Sequence, residues 1–349
     1  MGAACGKKEE TGGGTGSTTG GTAAGGSADV ANLSGKLQGS GATFPKPFYE
    51  EVKASLQKSA PKLTVDYAGG GSGKGKQDLA DNVVDFAGSD SPVAEADLSK
   101  FKGGAILYTP TVAAPITVSY NLSGVDKLQL SPDVLANIFQ KKITTWNNAA
   151  IAGDNPGVTL PSEPIVTVVR SDGSGTSSNF SKYLKAASPE FTIEPGDSPK
   201  WPEGTQTGNG NAGVAQAVKS TAGAIGYVDY SDAKATGLTF ASIKNKAGSY
   251  VAPSLDGASA ALAGAKINLD LTYNALNADG AEAYPITAGT WIIIYQKQPD
   301  ATKGTNLKGY LNYILTDGQA LAEGVDYAKL PANLQQQAVA QLSKIQIGG

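Results

Sequence analysis

The run VVRSDGSGTSSNFSKYL, residues 168–184, sets one arginine, one aspartate and a Gly/Ser/Thr turn between a strand-like stretch and a helix-like one. Arg170 and Asp172 stand two residues apart, so the carboxylate can pair with the guanidinium and fix its orientation. The remaining N–H donors of Arg170 are then free to address a tetrahedral oxyanion. Ser174, Gly175 and Thr176 follow at the start of the helix, where free backbone N–H groups and the positive end of the helix dipole coincide. Three chemistries compete for such a turn: a nucleophilic serine, a nucleotide-phosphate loop, or a site that holds an anion without changing it.

Two more turns share the design. QGSGATFPKPFYEEV, residues 38–52, runs from a Gly-rich turn through Thr43 and Phe44 into a helix whose first turn carries Pro45, as helix starts tolerate. DYAGGGSGKGKQDLADN, residues 66–82, follows a strand, passes Ser72 and opens into another helix. Ser and Thr are ordinary N-caps and Gly an ordinary turn residue, so one such turn means little. Three in one chain, one with an arginine on its rim, point to an oxyanion cradle.

From Leu33 onward, short apolar runs alternate with amphipathic stretches. LTVDYAG, VVDFAGS, APITVSYNL, PIVTVVRS, AIGYVDY and TWIIIYQK read as strands rich in Val, Ile and aromatics. Phe44, Phe48, Val52 and Leu56 recur at four-residue spacing, and Val134, Leu135, Ile138 and Phe139 mark a second helical face. The alternation predicts α/β layers with helices packed on mainly parallel sheets. At 349 residues the chain suits two domains of ordinary size.

Composition removes most catalytic chemistries. There is no histidine, which excludes the Ser-His-Asp triad and imidazole-based zinc sites and acid/base steps. The single cysteine, Cys5, cannot form an internal disulfide or a CxxC couple. Net charge is −3, so no global field recruits nucleic acid, and any affinity for an anion must be local. Ser174 lacks both the G-x-S-x-G setting and a base to take its proton, which argues against a hydrolase. Residues 70–76 satisfy G-x-x-x-x-G-K, yet Gln77 stands where a magnesium-binding Ser or Thr is required, which argues against an NTPase.

The stretch VVDFAGSDSPV, residues 83–93, adds a carboxylate at Asp90 just past an apolar strand. An aspartate beside an anion normally repels it. Phosphate is the exception, because at neutral pH it keeps a proton that a carboxylate can accept, whereas sulfate does not.

The opening MGAACGKKEETGGGTGSTTGG resembles the end of a bacterial lipoprotein signal, with small residues leading into Cys5. That reading predicts a lipid on Cys5 and a flexible tether over residues 1–32. An exposed tail with a stray cysteine is the plainer alternative.

In order and approximate spacing, GSGATFPKPFY, DYAGGGSGKGKQ, VDFAGSDSPV, IFQKKITTWN, VVRSDGSGTS, GNGNAGVAQAV, GAIGYVDY and YPITAGTWIII resemble the phosphate-binding proteins of bacterial ABC transporters, the PstS family. The resemblance implies a two-domain periplasmic-binding-protein fold closing on one dehydrated phosphate. It implies ligand contacts from Thr43 with the backbone of Phe44, and from Ser72, Asp90, Arg170, Ser174, Gly175 and Thr176, with Asp172 orienting Arg170. It also implies a non-enzymatic, extracytoplasmic receptor without cofactor or metal, acting as a monomer with a membrane permease and its ATPase subunits. The expected domains are residues 33–112 plus 285–349, and residues 113–284. Lys74 departs from the family's pattern and either adds positive potential near Ser72 or points to solvent. The segment ASLDGASAALAGAKINLDL fits only loosely.

Overall fold

The computed structural model describes residues 1–2 and 29–348. Cys5 and most of the expected tether lie outside the described residues. Chain order gives β1 (Ser34–Gly41), α1 (Lys46–Ser59), β2 (Lys62–Ala68), α2 (Ser72–Ala80), β3 (Phe86–Ser89) and the long β4 (Ile106–Tyr120). Next come β5 (Gln129–Leu130), α3 (Pro132–Phe139), α4 (Ala149–Asp154), β6 (Val166–Arg170), α5 (Gly175–Ala187), β7 (Gln206–Gly208), α6 (Gly210–Ser220), β8 (Ala224–Asp229) and α7 (Tyr230–Thr236). The chain ends through β9 (Thr239–Phe240), β10 (Ser242–Lys244), β11 (Tyr250–Val251), α8 (Leu255–Ala263), β12 (Thr287–Tyr295), α9 (Ala301–Leu315) and α10 (Ala332–Gln341).

One sheet runs through the molecule in the order β2-β1-β3-β12-β4-β8-β6-β7, with β9 also on β4. Its two outer parts are parallel: β1 with β2 and β3, and β6 with β7 and β8. The joining strands are antiparallel, because β12 pairs with β3 and β4, and β4 pairs with β8. Helical crossovers build the parallel parts, as parallel pairing requires. The long strand β4 links them, with residues 106–115 on β12 and 116–120 on β8.

Burial follows from position in the sheet. Edge strand β2 alternates exposed and buried residues, whereas β3, β8 and β12 are buried on both faces and read as continuous apolar runs. Helix α1 buries Phe48, Tyr49, Val52 and Leu56, each burial worth about 1.5–3 kcal/mol for a side chain of this size. Phe44 precedes this helix, and Pro45 takes the N-cap position with Pro47 in the first turn. The α3 face is buried as its spacing predicts.

Residues 38–41 are the end of strand β1, where glycine content alone suggested a turn. A side chain has no room there. A Cβ on Gly39 would lie 2.2 Å from the Phe86 ring, and one on Gly41 2.1 Å from the Gly88 carbonyl oxygen, with φ at +134°. Glycine therefore permits close strand approach here.

Candidate functional site

Three of the turns deliver their helix starts to one place. The Thr43 turn leads from β1 into α1, Gly71 caps α2 so that Ser72 is its first residue, and Ser174 caps α5. The Gly73 N–H donates to the Gly173 carbonyl at 2.9 Å, stitching the second turn to the third. Gly175 faces Ser72 and Asp90 so closely that a Cβ there would lie 2.5 Å from Ser72 Oγ and 2.7 Å from Asp90 Cβ. Helix α6 brings a fourth start: Asn211 donates from its backbone N–H and Nδ2 to Thr43 Oγ1 at 3.2 and 3.1 Å, and from Nδ2 to Thr176 Oγ1 at 3.3 Å.

The sequence-predicted residues are thus brought together. Thr43 is half-buried, and Phe44, Ser72, Asp90, Arg170, Ser174, Gly175 and Thr176 are buried. Asp172 grips Arg170 with both oxygens, accepting from Nε at 2.8 Å and from Nη2, and its Oδ1 also accepts from the Gly210 N–H at 3.0 Å. These contacts hold the Asp172 pKa below the usual carboxylate range despite burial, which opposes them. With Nε and Nη2 occupied, the guanidinium turns Nη1 toward Thr176 Oγ1.

Hydroxyl bookkeeping reveals what this cluster can do. Ser72 Oγ accepts from the Asp90 N–H, Ser174 Oγ from the Ser177 N–H, Thr43 Oγ1 from Asn211, and Thr176 Oγ1 from Arg170 and Asn211. None of the four donates to a described protein acceptor. A hydroxyl has one hydrogen to give, so four O–H donors remain, beside the N–H groups of the first turn of α5.

One acceptor breaks the pattern. Asp90 Oδ1 accepts from Thr290 Oγ1 at 2.8 Å, whereas its buried Oδ2 has no hydrogen-bond partner. Burial raises the Asp90 pKa to about 7, against the opposing pull of Thr290 and the Arg170 charge. A cluster of donors that also holds one carboxylate of high proton affinity is complementary to an anion that itself carries a proton.

Aromatic packing makes the cradle rigid. Tyr227 OH meets the Arg170 N–H at 3.2 Å and Ser177 Oγ at 2.7 Å, and its ring stacks on Phe180 at 4.5 Å. On the other side Phe44 packs edge-on to Tyr327, whose hydroxyl donates to the Phe44 carbonyl at 2.5 Å.

A family model described as PBP superfamily domain matches residues 15–318. The phosphate-binding protein PstS of Pasteurella multocida is 36% identical over 313 residues, covering 87% of this chain and 89% of its own. PstS 2 of Mycobacterium tuberculosis is 36% identical over 323 residues, covering 88% and 86%. The chain belongs to the PstS family. A high-affinity periplasmic phosphate-binding protein solved with phosphate bound matches with a TM-score of 0.73 at 24% identity, over 88% of this chain and 94% of that one. The phosphate-binding protein of Stenotrophomonas maltophilia matches at 0.69 and 21%, over 88% and 93%. These likenesses establish the periplasmic-binding-protein fold.

In this PstS-family chain Lys74 is exposed and pairs with Asp78 one helical turn on, at 2.8 Å, away from the cluster. Asn211, Asn179 and Thr290 escaped the sequence reading. Asn179 donates to the Asp90 and Gly175 carbonyls, tying α5 to the loop after β3. The GNGNAG run before α6 was the available signal for Asn211. Thr290 lay inside an apolar strand and gave none.

Proposed function

We propose that this chain is an extracytoplasmic receptor that closes around one inorganic phosphate and delivers it to an ABC import permease, with no covalent step. The observation that carries the ligand assignment is the free, buried Asp90 Oδ2 among four hydroxyls left as donors. Phosphate fills both roles: its oxygens accept from the hydroxyls of Thr43, Ser72, Ser174 and Thr176, from the N–H groups of Phe44, Gly175 and Thr176, and from Arg170. Its remaining proton goes to Asp90. Sulfate would meet Asp90 with no proton to offer, and an unpaired buried carboxylate beside it. Family membership supports the receptor role, since the relatives named above are phosphate-binding proteins.

The two lobes are residues 33–112 with 285–349, and residues 113–284. Cys5 carries a lipid that holds the receptor at the outer face of the membrane, and the receptor acts as a monomer. The absence of histidine, and of any His/Cys/Asp/Glu cluster fit for a metal among the described residues, supports a binder over a phosphate-ester hydrolase.

Isothermal titration of phosphate-stripped protein tests the reading. One-to-one phosphate binding with no sulfate heat is expected, and Asp90→Asn should narrow the gap between the two anions. Equal affinity for both, or no phosphate heat, would refute it.

A further inference from the structure

Two cavities flank the cluster, and they differ in charge. The first, of about 610 Å³, is lined by Thr43 and Asn211 together with Lys46, Glu50 and Asp232. Its two carboxylates outweigh its one lysine. The second, of about 520 Å³, reaches the cluster from the other side, where Asp90 and Asn179 form part of its wall. Its cations are Lys182 on α5 and Lys266 on the segment after α8. Neither lysine makes a hydrogen bond or ion pair with a described residue, which sets them apart from Lys76 and Lys74. Polar groups of Asn268, Asn274 and Thr272 complete the wall.

Free ammonium groups on a wall with Asp90 are not what packing requires. Both lysines are exposed, so their ammonium groups keep their hydration while they border the cavity that holds Asp90. A cleft lined by cations focuses their field along its length. The chain as a whole is negative, at −3. An anion approaching it is repelled unless some local patch reverses the sign.

We infer that the cavity bearing Lys182 and Lys266 is the vestibule through which the oxyanion reaches Asp90, and that these two lysines capture phosphate there before the cradle takes it. The inference rests on the phosphate reading of the cluster and adds a route and two residues to it. Lysine suits this task, because a mobile point charge attracts an anion without the fixed two-pronged grip by which Arg170 would retain it. Steering by such charges acts on association, by about ten- to a thousandfold for a whole focused field, and fades with salt.

The test is stopped-flow phosphate binding to the full chain, comparing wild type with the double variant Lys182→Gln, Lys266→Gln and with Lys46→Gln on the opposite cavity. The double variant should associate about three- to tenfold more slowly at low ionic strength, dissociate at the wild-type rate, and converge on wild type near 1 M salt, where the screening length is about 3 Å. Lys46→Gln should associate as wild type does. An unchanged association rate, a defect confined to dissociation, or an equal loss in Lys46→Gln would overturn the vestibule. Failure of wild type to bind phosphate at all is a separate result, and it would strike the function itself.

Discussion

Asp90 carries two loads that pull in opposite directions. Its burial raises the pKa to about 7, from an ordinary value near 3.8. The native state therefore holds a proton that the unfolded chain gives up. Stability from this group is full below about pH 4, falls as pH rises, and is lost above about pH 7, by about 4 kcal/mol for a shift of about three units. In the proposed complex, phosphate would reverse the penalty by bringing its own proton to Oδ2. Asp90→Asn should then stabilise the ligand-free protein more at pH 8 than at pH 5, while weakening phosphate binding. Thermal melts of both proteins at the two pH values decide the matter. Burial also raises the Asp229 pKa and the Asp90 charge adds to that shift, so the substitution relieves Asp229 as well and moves the difference in the same direction. A difference in melting temperature that does not change with pH would contradict this account of Asp90.

The start of α5 shows how closely two elements must approach. Gly175 is in ordinary helical register, so alanine there carries no backbone penalty, and helix propensity even favours it. Its conflict is with neighbouring elements, where the Cβ would press on Ser72 Oγ and on the Cβ and backbone nitrogen of Asp90. Neither neighbour is a flexible tip. Gly175→Ala should lower the melting temperature and weaken phosphate about ten- to a hundredfold, because an overpacking cost of about 1–3 kcal/mol falls on the fold in which these two helix starts meet. Titration calorimetry beside a thermal melt checks it, and unaltered affinity would show that the two helix starts can yield. This geometry also explains what the sequence disclosed. Arg170, Asp172, Ser174 and Thr176 lie within seven consecutive residues, and the turn chemistry that unites them is local. Thr290 reaches Asp90 across 200 residues of chain, and Asn211 reaches Thr43 across 168, so no spacing rule could pair them. Strand β1 was hidden for a related reason, since the Phe86 ring and Gly88 carbonyl that demand its glycines belong to a neighbouring strand.

Across the whole molecule, one group of polar contacts ties α2 and the loop after β3 to the cap of α5. Lys76 on α2 pairs with Asp197 at 2.7 Å, and Ser91 Oγ donates to the other Asp197 oxygen at 2.7 Å while accepting from Lys76 at 3.0 Å. The Asp197 carbonyl in turn accepts from the Ser174 N–H at 2.8 Å. Asp197 therefore ties the cap of α5 to α2 and to the loop after β3. In the proposed two-lobed receptor, an ion pair worth only about 1 kcal/mol would bias closure and still allow release. Asp197→Asn keeps the shape and the backbone carbonyl but removes the charge. Phosphate should leave this variant about three- to tenfold faster, with its association rate close to wild type, if the pair forms only as the proposed lobes close. Rapid-mixing dissociation against a phosphate trap measures this directly. If release were unchanged, the Lys76–Asp197 pair would be an idle surface contact, and the proposed closure would rest on the phosphate and on bonds such as Gly73–Gly173, Asn211–Thr43 and Asn179–Asp90.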